Sequence, residues 1–172
     1  DLDPDSSVPW KFVIEAAHLV KTLLNGLELE CFVKTTGGKG LHVVVPLQPV
    51  HTWEEVKAFS KGVADHLVRL IPDRFVANMS KQKRKGKIYV DYLRNPRGAT
   101  PIAAFSTRAR AGAPVSVPLT WKEVTIDMRS DHFTVSNAVE RLHKLKQDPW
   151  QTYFTIKQQL TRKMKSSLGM SR

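Results

Sequence analysis

Between Trp10 and Leu24 the apolar positions are Phe12 and Val13, Ala16 and Ala17, Val20, and Leu23 and Leu24. That spacing gathers them on one side of a 3.6-residue helix. Ser7 is placed to cap its start, with Pro9 near the first turn, and Asn25-Gly26 to end it. A second helix is predicted from Trp53 to Ile71, with Val56, Phe59, Val63, Leu67 and Leu70 along one side. Thr52 and Glu55 make a capping box at its start. Between the two helices, Leu29 to Lys34 and Leu41 to Leu47 read as strands joined by a glycine turn. Ile88 to Leu93 is a short strand, Arg94 to Thr100 a loop, Pro101 to Ser106 a further strand, and Pro114 to Pro118 an extended connection. Helical patterns return over Ser136 to Lys146 and Trp150 to Leu160. Helices and strands mixed in this order, with no repeating βαβ unit, predict an α+β fold: a mixed or antiparallel sheet flanked by helices.

Length and composition place this pattern in one domain. A chain of 172 residues, 41% hydrophobic, can bury a single core. The chain opens on Asp1-Leu2-Asp3, and an Asp-x-Asp pair usually follows a strand. The expectation is therefore a strand before residue 1 and a single partial domain whose N-terminal part is absent. The last stretch, from about residue 161 to 172, is expected to be a basic tail or linker. Charge narrows the class of partner. Against 16 Asp+Glu stand 27 Lys+Arg, a net charge of +11. A polyanion is the first expectation, nucleic acid before an anionic membrane surface, and an inert basic surface is the alternative. The lone Cys31 excludes a disulfide framework and suits a reducing compartment. No apolar run approaches the roughly 18 residues of a membrane span.

Candidate chemistry gathers at three places. The turn Thr36-Gly37-Gly38-Lys39-Gly40 lacks the spacing and following helix of a Walker A loop. Glycines let backbone N–H groups approach an anion, Lys39 adds a charge and Thr36 a hydroxyl, so the turn can cradle a phosphate. An ordinary hairpin with a solvated lysine fits the same residues. Asp1 and Asp3, two apart on extended chain, share a face. Asp91 ends a β-like run, and three carboxylates together repel unless a cation lies between them. Mg²⁺ or Mn²⁺ is the cation such oxygens prefer, as one ion or a pair serving in-line displacement at phosphorus. Helix-entry and strand-end capping are the alternative roles for these acids. His42 lies on the strand after the turn, where it either meets the substrate or is structural. Five cations in KQKRKGK, among them Arg84, and the arginines Arg94, Arg97, Arg108 and Arg110 can meet phosphate oxygens. No histidine or cysteine spacing suits zinc.

Asp1-Leu2-Asp3-Pro4, Thr36-Gly37-Gly38-Lys39-Gly40-Leu41-His42 and Val90-Asp91-Tyr92-Leu93-Arg94-Asn95 together resemble the three motifs of the archaeo-eukaryotic primase superfamily. The polymerase domain of bacterial ATP-dependent DNA ligase D is the nearest family. VPW, FVKT, WEEVKAFS, PDRFVANMSK, STRAR and DPWQTYF are also similar to it, so the resemblance covers nearly the whole chain. It implies a primase-like catalytic core that adds nucleotides, with a preference for ribonucleotides, to DNA 3′ ends in non-homologous end joining. It implies Mn²⁺ or Mg²⁺, two ions, on Asp1, Asp3 and Asp91. Thr36, Lys39 and His42 fall on the turn that binds the incoming triphosphate. Arg108 falls on a phosphate-contacting arginine, Arg94 near the incoming nucleotide, and Arg84 is a further nucleotide-binding candidate. Partners implied are DNA ends with a 5′-phosphate, nucleoside triphosphates, Ku, and ligase or nuclease domains, in the bacterial cytoplasm at the nucleoid. Thr36 replaces a common serine, and Ala104-Phe105 a common Pro-Tyr. A primase or primase-polymerase, and a non-catalytic DNA-binding module with structural acids, are the competing readings.

Overall fold

A computed structural model describes residues 1–170. Its centre is one six-stranded sheet in the order β4-β5-β1-β3-β2-β6. These strands are β1 (Leu2–Pro4), β2 (Phe32–Thr35), β3 (Leu41–Val44), β4 (Phe75–Val76), β5 (Ile88–Val90) and β6 (Pro118–Leu119). All neighbours pair antiparallel except β4 and β5, so the sheet is mixed. The fold is the expected α+β arrangement.

Helix α1 (Trp10–Gly26) buries Val13, Ile14, Ala16, Ala17, Val20 and Leu24. It lies against β1 and β3. Leu2 faces Leu41 on one side and Val90 on the other, and all three belong to the same core as the α1 residues. Strand side chains alternate, so Asp1, Asp3, Asp91 and His42 fall on the opposite face. Helix α2 (Trp53–Leu70) carries the predicted capping box, with Thr52 Oγ1 accepting from Glu55 N–H and Glu55 from Thr52 N–H. It packs next to β4 and buries Phe59, Val63, Ala64 and Leu67. Among the described residues no helix is long and apolar enough to cross a membrane.

Asp3 lies within β1 and Asp1 directly before it. Several expectations fail, each for a local reason. Ser7 does not cap α1, because its hydroxyl and N–H both turn to the Asp5 carboxylate, at 2.6 and 3.1 Å. Pro101 to Ser106 is no strand. Phe105 adopts a left-handed φ of 63°, and the carbonyl of Ile102 is taken by Lys34. The predicted helix over 136–146 shrinks to α3 (Ala138–Lys144). Trp150 to Leu160 forms turns and extended chain in place of a helix. Trp150 and Tyr153 stack on each other and both contact Phe32, while the Trp150 indole donates to the Val33 carbonyl at 3.1 Å. A helix would carry those rings off the sheet. The segment expected as a basic tail from about residue 161 instead forms α4 (Arg162–Ser167), with Thr161 capping it and Met164 and Leu168 buried in the core. Its last two residues, 171 and 172, lie outside the described residues.

Candidate active site

Strand register aligns the polar face. Leu2 pairs with Val90, and one step on, the Asp91 N–H donates to the Asp1 carbonyl at 2.8 Å. Leu2 also pairs with Leu41, which sets Asp1 beside His42, and His42 pairs with Lys34. Asp91, Asp1, His42 and Lys34 thus form one row across β5, β1, β3 and β2. Residues 90 positions apart meet because antiparallel cross-strand neighbours share a face.

Each acid already has a partner. Asp1 Oδ2 stands 3.2 Å from His42 Nε2. Desolvation, helped by the charges of Lys34 and Arg94, pushes His42 down to about 3. The contact therefore joins a neutral imidazole and a carboxylate at neutral pH. Asp3 pairs with Arg84 at 3.1 Å, and the Arg84 guanidinium lies 3.7 Å from the centre of the Tyr89 ring. Asp91 accepts from the Tyr89 hydroxyl at 3.1 Å and the Leu93 N–H at 2.9 Å, and meets Arg94 at 3.1 Å. Burial and the Asp91 charge raise Tyr89 to about 12, so its phenol stays a donor. Asp1, Asp3 and Asp91 thus share a face and offer the hard oxygens a divalent cation prefers. Among the described residues, however, no three His, Cys, Asp or Glu side chains gather closely enough to hold a metal ion. Asp3 in particular is turned to Arg84.

The glycine turn docks on the strand that carries the acids. A Cβ on Gly40 would stand 1.7 Å from the Leu2 carbonyl oxygen, so only glycine permits this approach. Gly37 has φ +63°, and the Arg108 stem and Pro114 carbonyl lie over it. The turn is more closed than a bare phosphate cradle. Gly37 N–H donates to the Ser130 carbonyl, and Gly38 N–H to Thr36 Oγ1. Thr36 is itself buried, its hydroxyl donating to the Gly40 carbonyl at 2.9 Å. Lys39 points outward and is exposed. Arg110, at the rim, brings its guanidinium to 3.9 Å from where a Cβ on Gly38 would stand.

A cavity of about 360 Å³ opens along the row, large enough for a nucleotide-sized ligand. Asp1, Asp91, His42, Lys34 and Arg94 line it, with Trp150 and Tyr153 at its apolar end. Asp3, Thr36, Lys39, Arg84 and Arg108 are not part of that lining. Tyr89 and Ser130 belong to the site but lie outside the family motifs, while Lys34 belongs to it within the FVKT stretch. The alternation of β2 with β3 also puts Lys34, two residues before Thr36, on the same strand face.

Lys34 is 5% exposed and donates to the Ile102 carbonyl at 2.7 Å and Ser116 Oγ at 2.8 Å. Desolvation, then the charge of Arg108, lowers it to about 8. Between that value and the ordinary 10.5 the unfolded chain holds a proton that the folded chain has lost, so stability rises with pH. Urea unfolding at pH 9.5 is expected to give about 2 kcal/mol more stability than at pH 7.5, measured relative to a Lys34→Met variant. A difference that is flat over this window contradicts the buried-lysine assignment.

A mixed sheet with acids in register beside a glycine-lysine turn defines an α+β domain of the primase-like kind. A family model described as LigD, primase-polymerase domain, matches residues 1–150. The chain is 46% identical over 170 residues to the multifunctional non-homologous end joining protein LigD of Pseudomonas aeruginosa. It is 32% identical over 145 residues to the bifunctional protein LigD of Bacillus subtilis. These alignments cover 98% and 84% of this chain but 20% and 24% of the relatives. The polymerase domain of Mycobacterium tuberculosis ligase D, solved in complex with DNA, superposes with a TM-score of 0.83 at 30% identity. That match covers 90% of this chain and 53% of that one. The chain belongs to the LigD primase-polymerase domain family.

Proposed function

We propose that this chain carries the nucleotidyl-transfer site of a DNA-end repair polymerase that adds nucleotides, ribonucleotides among them, to 3′ ends in non-homologous end joining. The observation that carries the reading is the docking of the Gly37–Gly40 turn on β1, which puts Lys39 and the acids on neighbouring backbone. Membership of the LigD family and the DNA-bound state of the Mycobacterium tuberculosis domain support it.

The reaction is attack of a 3′-hydroxyl on the α-phosphate of a nucleoside triphosphate, with pyrophosphate leaving. Asp1, Asp3 and Asp91 would hold Mn²⁺ or Mg²⁺, two ions in all, once Asp3 and Asp91 turn from Arg84 and Arg94. Bound there, the metal supplies charge neutralisation at phosphorus and a lowered pKa for the attacking hydroxyl. Lys39 and Arg108 neutralise triphosphate oxygens, and Thr36 donates its hydroxyl to one of them. Neutral His42 has one N–H, so it donates toward the bound substrate, without adding charge, once it turns from Asp1. Arg94 and Arg84, released from their carboxylates, meet phosphates of the nucleotide and the primer. The surplus of basic residues holds the DNA backbone, and the grip weakens with salt. Ku and neighbouring ligase or nuclease domains are the partners proposed by family.

The test uses the full-length natural protein, labelled nucleotides, Mn²⁺ and a primer-template with a recessed 5′-phosphate. Extension from the existing end is the expected result, and primer synthesis from template and nucleotides alone would favour the primase reading. Lys39→Ala is expected to raise the nucleotide KM about tenfold or more, the loss of one charge-assisted phosphate contact, with little change in DNA affinity. An unchanged KM removes Lys39 from the site. The ion pairs on Asp3 and Asp91 favour the binding-module reading, which predicts DNA binding without extension.

A further inference from the structure

The Gly40 carbonyl, which closes the turn, accepts from two hydroxyls. Thr36 Oγ1 lies at 2.9 Å and Ser130 Oγ at 2.5 Å, and the two hydroxyl oxygens are 3.0 Å apart. Ser130 is 3% exposed and sits 94 residues from Thr36, in a loop that shares no strand with the turn. Its carbonyl also accepts the Gly37 N–H at 3.0 Å.

Proton counting shows what this arrangement permits. A hydroxyl has one proton to donate. A buried carbonyl needs one donor, and leaving it with none is costly. The Gly40 carbonyl is satisfied by either hydroxyl, so one is redundant for closing the turn. The turn's own N–H groups at Gly37 and Gly38 are already committed, to the Ser130 carbonyl and to Thr36 Oγ1. The Thr36 proton is therefore a donor the turn can redirect, on condition that Ser130 keeps the carbonyl.

We infer that Ser130 is a positioning residue for nucleotide binding: it holds the Gly40 carbonyl so that the Thr36 hydroxyl is released to donate to a phosphate oxygen. The inference rests on the reading of this turn as a triphosphate site. Without Ser130, Thr36 is the sole donor to Gly40, and turning it to a phosphate orphans a buried carbonyl.

The coupling is measurable as a double-mutant cycle in the full-length natural protein, with Thr36→Val, Ser130→Ala and the two combined. Nucleotide KM and kcat are read in primer extension, and binding of tripolyphosphate by calorimetry. Each single change is expected to weaken nucleotide and tripolyphosphate binding about tenfold, with kcat within about threefold. The double variant is expected to be no weaker than either single one. Multiplying effects, or a Ser130→Ala variant with unaltered binding, overturns the inference. Ser130→Cys, close in size but a weak donor, covers the case in which Ser130→Ala does not fold. It is expected to bind less tightly than wild type, and wild-type binding by it overturns the inference. If the wild type binds tripolyphosphate yet extends no primer, the polymerase reading fails while the cycle still decides the role of Ser130. If the wild type does not bind tripolyphosphate at all, the turn is not a phosphate site and the inference falls with it.

Discussion

Alanine at Asp1 and Asp91 together is expected to lower primer extension by the full-length natural protein by a factor of about 10³ or more, with DNA binding retained. The two residues are neighbours across β1 and β5, joined by the Asp91 N–H to Asp1 carbonyl bond. That bond belongs to the backbone and survives the substitution, so the strands keep their register. Arg94, the partner Asp91 loses, has a side chain 51% exposed and is rehydrated when unpaired. The structural cost falls on the Tyr89 hydroxyl and the Leu93 N–H, which lose Asp91 as acceptor, so a loss of about 1–3 kcal/mol is expected, read as a lowered melting temperature of a still folded protein. The chemical cost is large if these carboxylates hold the metal, whose contribution to phosphoryl displacement is several kcal/mol. Every 1.36 kcal/mol of barrier is a factor of ten in rate. The measurement is kcat/KM with Mn²⁺, beside DNA anisotropy titrations at one fixed salt concentration. Undiminished extension takes these acids out of the mechanism. Loss of both extension and DNA binding would mean that the acids support the DNA surface and not the chemistry.

The largest effect on stability is expected at Gly40. Its alanine Cβ would lie 1.7 Å from the Leu2 carbonyl oxygen, 2.8 Å from the Leu2 carbonyl carbon and 3.3 Å from Pro4 Cδ. The obstacle is backbone, which has no rotamer to retreat into, in an interior packed like an organic crystal. β1 cannot yield alone, because it is paired with β3 on one side and β5 on the other. Moving it breaks two ladders and displaces Asp1 and Asp3. A loss of about 3–5 kcal/mol, at the upper end of single substitutions, is expected in urea unfolding of Gly40→Ala. Gly26→Ala at the end of α1 meets nothing within 4 Å and serves as the control, with a gain of about 0.5–1 kcal/mol expected. Equal stability of both variants would contradict the docking of the turn on β1.

Local physics made α1, α2 and the turn legible in the sequence. The apolar stripe from Phe12 to Leu24 needs no distant residue to specify a helix, and Thr52 and Glu55 cap α2 through atoms three positions apart. Leu41 to Val44 alternates against Phe32 to Thr35 across a short connection, so that hairpin is also local. The shared face of Asp1 and Asp3 follows from the period of extended chain, and the family motifs marked the acids, the turn and the arginines. The sequence by itself therefore determined the α+β class, the two main helices, the hairpin and the residues on which the chemistry is proposed to rest. The tertiary structure alone decided how those residues meet. Trp150 and Tyr153 follow a helical spacing, yet contact with Phe32 outweighs local propensity there. Arg162 to Ser167 is basic enough to pass for a tail, yet Met164 and Leu168 bury against the core. Ser130 enters the site only through loop packing 94 residues from Thr36, and Lys34 is buried there by its distant partners Ile102 and Ser116. The ion pair of Asp3 with Arg84 is tertiary too, because no short-range pattern encodes which distant segment lies next to a strand, whereas Asp91 and Arg94, three positions apart, pair locally.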